Sequence, residues 1–459
     1  MNHSSGFTIL IIFLLAGCST PAKISTPISW DTTGVVIQPK KTIKKEFWEQ
    51  AEFQNSHVGI CIYDVDEGKY LYNYQGDKYF VPASNTKIIT LYAGMKFLKD
   101  SLPGIHYREN ADTFFIYPTG DPSLLHADFK KQPVIETLQK TTKKLVLIDN
   151  AWKEEALGSG WAWDDYNDDY QSERSSLPVY GNVVKWIQAS QKNTQAELQD
   201  SVQTFVYSDP EVNWKVRFKE DTTNKTFFVK RRKEENYFEV SQGKEALKEQ
   251  SVPFITNGVL SALELLKDTV HKEISAKPGI ADSNLKTIYS QPSDSLFKIM
   301  MYRSDNFYAE QTLLMVSNEK LGYMKDAVII DTLLGSVLKD LPQKPVWADG
   351  SGLSRYNLFT PQDFVWVLNK MNSEFGLERL KRIFPGATEG TLRNYFENDK
   401  GYIFAKTGSL TGQIALSGFL ITPKNKLLIF SVLVNNHHGS AGAVRKAVAD
   451  FLSDVRRKN

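Results

Sequence analysis

A serine and a lysine three residues apart, Ser84 and Lys87, open an apolar stretch (KIITLYAGMKFL) that predicts a buried helix. On a helix, residues i and i+3 share a face, so the Lys87 ammonium can lie beside the Ser84 hydroxyl. A serine hydroxyl becomes nucleophilic when a base removes its proton, and a lysine whose charged form is disfavoured by burial can be that base. The same spacing recurs elsewhere in the chain, so this pattern alone has little predictive value.

A second motif, Ser304-Asp305-Asn306, lies in a stretch whose helical pattern covers residues 295–316. Here Ser304 could relay a proton between Lys87 and a leaving amine. The side-chain amide of Asn306 could hold both Lys87 and a substrate amide. These residue types therefore suit proton transfer around an activated serine.

A third motif, Lys406-Thr407-Gly408, occurs once and lies on the strand-like stretch YIFAKTGSL. Lys406 would add a positive charge that keeps Lys87 deprotonated more often and attracts a substrate carboxylate. Glycine at position 408 would let a substrate backbone approach the strand closely. The order and local context of the three motifs indicate one catalytic site.

Together these motifs resemble the set that penicillin-binding proteins and class A β-lactamases share. The long separation of Ser84 from Ser304 makes the chain similar to one family in particular. This is the D-alanyl-D-alanine carboxypeptidase/endopeptidase family, the class C low-molecular-mass penicillin-binding proteins of peptidase family S13. Further matching segments lie at 120–124, 160–165 and 349–355.

The resemblance implies an α+β fold with a β-lactamase/transpeptidase-like domain, in which a five-stranded antiparallel sheet carries helices on both faces. It also implies a serine peptidase that forms an acyl-enzyme on Ser84, with no cofactor and no metal. The substrates would be the D-alanyl-D-alanine ends and D-alanyl crosslinks of peptidoglycan stem peptides, and β-lactam antibiotics would bind. The backbone N–H groups of Ser84 and Ser409 would hold the oxyanion.

The same resemblance assigns substrate-binding residues. The hydroxyls of Thr407 and Ser409 would bind the terminal carboxylate. Arg355 and either Asp164 or Asp165 would hold the side chain of the stem diamino acid, because a zwitterionic group needs one charge of each sign.

For three residues in these segments, a structural role is an alternative to substrate binding. Asp349 could form a tight turn rather than take part in binding. Trp161 and Trp163 are expected in the hydrophobic core, although both could instead stack on a sugar or peptide.

The elements that must position these residues come from both ends of the chain. Their strands would close one antiparallel sheet, with helices before and after it. The catalytic domain is therefore predicted at 44–100 and 291–459. Residues 101–290 are predicted to form one inserted domain, or two nested subdomains. The predicted strands are 57–63, 69–74, 402–406, 414–422 and 427–434.

Composition limits the remaining possibilities. The 459 residues are 41% hydrophobic and 24% charged, with a mean hydropathy of -0.34, which indicates a packed globular protein and excludes a polytopic membrane protein. A net charge of +2 gives no field that would attract nucleic acid. Two cysteines exclude a disulfide-stapled scaffold and a zinc site of four cysteines.

The first residues resemble a bacterial lipoprotein signal. An apolar run at 7–16 is too short to span a bilayer and is followed by Leu-Ala-Gly-Cys, in which Cys18 would be acylated. The sequence predicts a signal peptide at 1–17, a tether at 18–43 and a lipid anchor at Cys18 as the sole membrane contact. The protein would then lie on the periplasmic side of the cell envelope. An ordinary cleaved signal remains the alternative, and with Cys18 lipidated Cys61 would be a buried free thiol.

Two other functions remain open. A β-lactamase or small-ester hydrolase would use the same fold and motifs and would deacylate penicillin rapidly. A non-catalytic wall-binding scaffold would keep the fold without turnover. The intact Ser84, Lys87, Ser304, Asn306 and Lys406 argue against the scaffold.

Overall fold

Both ends of the chain and its middle contribute strands to the fold. The computed structural model describes residues 47–192, 202–219, 225–279 and 284–459. The strands are β1 (His57–Asp64), β2 (Lys69–Tyr74), β3 (Ser101–Glu109), β4 (Thr113–Pro118), β5 (Lys144–Ile148), β6 (Val183–Lys192), β7 (Val202–Asp209), β8 (Lys215–Lys219), β9 (Phe228–Arg231), β10 (Tyr237–Ser241), β11 (Leu247–Pro253), β12 (Ile274–Lys277), β13 (Lys286–Pro292), β14 (Ile403–Leu410), β15 (Gln413–Ile421) and β16 (Leu427–Asn435). The helices are α1 (Thr86–Phe97), α2 (Pro133–Lys140), α3 (Leu260–Val270), α4 (Ser293–Arg303), α5 (Asn306–Leu321), α6 (Asp326–Leu334), α7 (Pro361–Phe375), α8 (Leu377–Ile383) and α9 (Ala441–Lys458).

The predicted five-stranded sheet is confirmed, and its strand order is β14-β15-β16-β1-β2. Every neighbouring pair in this sheet is antiparallel. Side chains alternate between its faces, because successive residues of a strand point in opposite directions. On β1, Ile60 and Ile62 pack in a core that includes α9 residues, whereas Cys61 and Tyr63 belong to the core that includes α1 and α7 residues. Helices therefore cover both faces, as predicted.

Helix α1 is buried along most of its length, which explains why its sequence is apolar on every side. It packs between α5 and α7 and belongs to the largest hydrophobic core of the described residues. Its first turn is therefore held rigidly by tertiary contacts. The residues just before the helix, including Ser84, are therefore held in a fixed position as well.

The middle of the chain folds into three further sheets with a hydrophobic core of their own. Strand orders are β12-β5-β4-β3-β13, β11-β6-β7 and β8-β10-β9. Along the chain, β3 is the first and β13 the last of these strands, and the two pair antiparallel, so the chain enters and leaves this region side by side.

Candidate active site

Ser84 lies in a single 3-10 turn, Ala83–Asn85, directly before α1. The turn is held at two points. The Thr86 hydroxyl donates to the Ala83 carbonyl at 3.0 Å, and the Asn85 side chain donates to the Lys406 carbonyl at 2.9 Å. The second bond joins the start of α1 to β14, so the serine and the Lys-Thr-Gly strand share one framework. Ser84 itself is half-buried and faces a cleft.

The structure gives Gly408 close neighbours that the sequence did not predict. A Cβ atom at this position would lie 2.7 Å from the Pro82 carbonyl oxygen and 3.1 Å from the Asn85 nitrogen. The missing side chain therefore lets β14 approach the turn that carries Ser84.

Lys87 is fully buried and has three polar neighbours. Its Nζ lies 3.0 Å from Ser84 Oγ, 2.7 Å from Asn306 Oδ1 and 2.7 Å from the Ser351 carbonyl oxygen. A neutral amine has two N–H donors and one lone pair. The charged amine donates to all three oxygens. Once it is neutral, the two carbonyl-type oxygens can accept both remaining N–H groups, which leaves the lone pair facing the Ser84 hydroxyl, as a general base requires.

Burial lowers the pKa of Lys87 to about 8, although the carboxylates of Asp349, Glu310 and Asp305 oppose this shift. Lys406 is also fully buried, and its pKa lies well below its usual value because of burial and the charge of Lys87. Two positive charges repel each other mutually, so this repulsion and burial together disfavour having both lysines charged at once.

Ser304 and Asn306 lie at a break between two helices, not inside one helix as the pattern at 295–316 suggested. Ser304 follows α4 with a φ of 61°, in the left-handed region. The Asp305 carboxylate then caps α5 by accepting from the Tyr308 N–H at 2.9 Å. Lys406 Nζ donates to Ser304 Oγ at 2.7 Å, which joins the second and third motifs.

Asp349 is a fully buried carboxylate that organises the loop at 349–355. Four donors reach it at 2.6–3.0 Å, so the turn interpretation accounts for this residue. The loop in turn presents the Ser351 carbonyl to Lys87. The donors are the backbone N–H groups of Gly352 and Ser354 and the side chains of Asn357 and Trp161.

Two clefts adjoin the catalytic residues and share Arg303 and Ser304. The β14 cleft, of about 650 Å³, contains Ser84 together with Thr407, Ser409 and Arg445. The insert cleft, of about 760 Å³, is lined mostly by residues 125–251 and reaches Asn306. Ser84 therefore faces the β14 cleft, whereas the Ser-Asp-Asn motif borders both clefts.

The residues assigned to the stem diamino acid lie outside both clefts. Arg355 is exposed, and its guanidinium donates to the Thr411 carbonyl just beyond β14 at 3.4 Å. Asp164 is exposed, whereas Asp165 is half-buried and lies near the Tyr170 hydroxyl, which donates to Asp168 at 3.3 Å. No described contact joins Arg355 to either aspartate. Asp169, which follows these aspartates in the sequence, lines the insert cleft, and the sequence analysis did not predict it as a site residue.

The two tryptophans near these aspartates are not core residues, contrary to the favoured expectation. Trp161 is half-buried, and its Nε1 donates to Asp349 at 3.0 Å. Trp163 is 71% exposed, and the Lys233 ammonium lies 5.0 Å from the centre of its ring. The charged residues that follow in the sequence keep this segment at the surface.

A family model for the D-Ala-D-Ala carboxypeptidase 3 (S13) family matches residues 41–455. The chain belongs to this family. It is 24% identical to the D-alanyl-D-alanine carboxypeptidase DacB of Haemophilus influenzae over 84% of this chain and 86% of the relative. It is 25% identical to a D-alanyl-D-alanine carboxypeptidase of Actinomadura sp. over 94% of this chain and 87% of the relative.

The fold is shared with penicillin binding protein 4 (dacB) of Haemophilus influenzae. The two structures superpose with a TM-score of 0.68 at 19% sequence identity, over 87% of this chain and 95% of the other. Membership of the S13 family and this likeness confirm the family and the fold class that the three motifs predict.

Glu310 contacts the loop that holds Lys87, and Arg174 pairs with Glu310, although no motif points to either residue. Glu310 Oε1 accepts from the Ser351 N–H at 2.7 Å, on the peptide next to the carbonyl that binds Lys87. Burial and Asp349 raise the pKa of Glu310 to about 7. The Arg174 guanidinium, 1% exposed, lies 3.4 Å from Glu310 and 2.7 Å from Asp326.

One sequence signal could have found Glu310. It lies four residues after Asn306 on α5, so the two side chains share a helix face. Arg174 has no comparable signal, because it comes from the middle of the chain and meets Glu310 only in the folded protein.

Other expectations concern metal, thiol and membrane. No group of three or more His, Cys, Asp or Glu residues within the described ranges is arranged to hold a metal ion. Cys61 is a buried free thiol, as predicted, and donates to Asn73 Oδ1 at 3.2 Å. Among the described residues, no helix is long and apolar enough to cross a membrane. Cys18 and the predicted signal peptide and tether lie outside the described residues.

Proposed function

We propose that this S13 protein hydrolyses D-alanyl-D-alanine ends and D-alanyl crosslinks of peptidoglycan through an acyl-enzyme on Ser84. The observation that supports this most is the environment of Lys87. A fully buried amine with its pKa lowered to about 8 lies 3.0 Å from the Ser84 hydroxyl. Such a pair can generate a nucleophile near neutral pH without a metal ion.

Acylation follows from the hydrogen bonds around this pair. Lys87 takes the Ser84 proton as Oγ forms a bond to the carbonyl carbon between the two D-alanines. The carbon–nitrogen bond then breaks, and the leaving amine receives a proton through the Ser304 hydroxyl, which Lys406 holds at 2.7 Å. Water later attacks the acyl carbon and loses a proton, the bond to Ser84 Oγ breaks as Oγ takes up a proton, and the peptide leaves with a free carboxylate.

The strand β14 suits the binding of the peptide end. Thr407 and Ser409 line the same cleft as Ser84, so their hydroxyls are available to a terminal carboxylate. The backbone N–H groups of Ser84 and Ser409 would stabilise the oxyanion, which is a fixed arrangement that needs no rearrangement during reaction. Arg355 with Asp164 or Asp165 would recognise the stem side chain from the mouth of the site.

The family also suggests the location and the domain roles. We place the protein in the bacterial cell envelope, on the periplasmic side, held by a lipid at Cys18. We assign the inserted region to 101–290 and the catalytic part to 44–100 and 291–459. The insert cleft would then be the surface where the inserted region meets substrate bound near Asn306.

The experiment is intact-mass spectrometry of the protein from residue 19 onwards after incubation with benzylpenicillin. Ser84→Ala removes the nucleophile. Ser295→Ala is the matched control, because Ser295 has the same spacing to a lysine (Lys298) but is exposed on α4. We expect a one-to-one adduct on the wild type and on Ser295→Ala, and none on Ser84→Ala.

Release of D-alanine from a stem pentapeptide should follow the same pattern among the three proteins. Consumption of penicillin without a persistent adduct, and without D-alanine release, would replace the proposal with a β-lactamase. Intact penicillin, no adduct and binding to purified wall material would replace it with a wall-binding scaffold.

A further inference from the structure

Among the cations of α9, Arg445 differs from the others in its partners. Four of them pair with carboxylates: Lys446 with Asp450, Arg456 with Asp399, and Arg457 and Lys458 with Asp454. Arg445 forms no ion pair with any carboxylate of the described residues. A guanidinium has five N–H donors, so most of its capacity for binding an anion remains available.

Arg445 instead directs its guanidinium towards the catalytic strand. Its Nη2 donates to Ser409 Oγ at 2.8 Å, and the residue lines the β14 cleft with Ser84 and Thr407. Arg445 is half-buried, so water reaches only part of the side chain, and a ligand can still approach the guanidinium. An uncompensated cation thus borders the space next to the nucleophile.

The hydrogen bond also sets the orientation of the Ser409 hydroxyl. A hydroxyl has one O–H donor and two acceptor lone pairs. Because Ser409 Oγ accepts from Arg445, its own O–H is left to donate elsewhere. A carboxylate beside Thr407 could therefore receive this O–H together with a second N–H of Arg445. Charge-assisted hydrogen bonds of this kind are the strong ones for anions.

We propose that Arg445 determines specificity by binding the free carboxylate of the leaving side of the substrate, both directly and by orienting Ser409. The inference rests on the proposed function, since it assumes that Ser84 is acylated. Arg393 also borders the β14 cleft, but it is exposed and makes no described contact with Ser409. Arg303 lines this cleft too, but its charge is paired with Asp128 and Asp305. Of the three arginines, Arg445 is therefore the one without a carboxylate partner that contacts the catalytic strand.

The test compares acylation rates of benzylpenicillin and of its methyl ester, which lacks the carboxylate charge. We expect Arg445→Gln to slow acylation by benzylpenicillin about 10- to 100-fold, as expected for losing a hydrogen bond to a charged group. The methyl ester should react with the variant nearly as it does with the wild type. Lys446→Gln is the matched control, because it removes the neighbouring charge of the same helix, and it should change neither rate.

Arg445→Lys separates charge from geometry. It keeps the positive charge but not the planar fork, so it should restore only part of the rate with benzylpenicillin. Thermal unfolding of each variant checks the fold, and the ratio of acid to ester rates is insensitive to a partly inactive preparation.

Equal losses for acid and ester would assign Arg445 a structural role and overturn the proposal. The same loss in Lys446→Gln would attribute the effect to the general field of the helix and would also overturn it. If the wild type forms no adduct, the proposed function fails and the role of Arg445 falls with it. An adduct with an unchanged acid-to-ester ratio overturns the role of Arg445 alone.

Discussion

Two regions of the site are built in opposite ways. Lys87 is fully buried, and its amine contacts groups from three separate segments: Ser84, Asn306 and Ser351. Arg355, by contrast, is exposed, and its described hydrogen bond is a long one to the Thr411 carbonyl. The first region has its polar contacts in place without a substrate, whereas the second has almost none.

The difference follows from what each region must do. A base needs a pKa near the working pH, and burial achieves this for Lys87 only if every neighbour is fixed. A recognition residue must exchange water for the substrate, so it stays solvated until the substrate arrives. Substitutions in the buried region should therefore affect chemistry and folding, and those at the rim should affect substrate choice alone.

The largest effect is expected from Lys87→Met, which keeps the length of the side chain and removes the amine. Without a general base, acylation by benzylpenicillin should slow by about 10²- to 10⁴-fold. In the wild type the base must be neutral, and the pKa of Lys87 is about 8. The acylation rate should therefore rise with pH up to about 8 and then level off, and this rise should disappear in the variant. Stopped-flow or quenched mass spectrometry across pH 6–10 measures both.

Lys96→Met is the control for this prediction. Lys96 lies on the same helix but near the surface, where it pairs with Glu374 at 2.8 Å. It should keep the wild-type rate and pH profile. A Lys87→Met variant that is folded and still shows the rise near pH 8 would assign the base to another group.

An intermediate effect is expected from Asp349→Asn in the buried loop. The carboxylate accepts four hydrogen bonds, and the amide would turn an N–H group towards donors. We expect a loss of about 2 to 3 kcal/mol in the free energy of unfolding, the range for hydrogen bonds to a buried charged group. Because the loop presents Ser351 to Lys87, acylation should slow as well. Denaturant unfolding measures the stability.

Asp331→Asn, an exposed position on α6, serves as the control and should leave stability unchanged. If Asp349→Asn unfolds at the wild-type denaturant concentration but loses activity, the carboxylate acts in catalysis and not in holding the loop.

Local patterns were enough to predict the sheet and the three motifs. The strands of the sheet are short apolar runs, and Ser84 and Lys87 are neighbours on one turn, so their proximity needs no tertiary information. The family resemblance supplied the rest of the predicted site. The structure then joins the motifs through bonds such as Lys406 to Ser304.

Contacts between distant segments could not be predicted in this way. Ser351 binds Lys87 across 264 positions, and Arg174 reaches Glu310 across 136. The donor or acceptor in such contacts is often a backbone group, which carries no sequence signal. The neighbour of Gly408 could not be predicted for the same reason, since it is the Pro82 carbonyl of another segment.

The smallest effect is expected at the rim, from Arg355→Ala. If Arg355 holds the carboxylate of the stem diamino acid, KM should rise for a peptide with a free side-chain carboxylate and stay constant when that carboxylate is amidated. An exposed ion pair contributes at most about 1 kcal/mol, so the increase should be about fivefold or less. Thermal stability should not change, because the side chain is exposed.

Asp164 and Asp165 allow a further test of the comparison between the buried and the exposed region. Asp165 is half-buried near the Tyr170 hydroxyl, and the Tyr170 carbonyl accepts from Asn306 at 3.0 Å, whereas Asp164 is exposed. If the amine of the stem side chain binds at Asp165, Asp165→Asn should raise KM for the free amine but not for its acetylated form. Asp164→Asn then serves as the matched control. A larger effect from Asp164 would mean that the exposed carboxylate, and not the one connected to the catalytic motif, recognises the stem peptide.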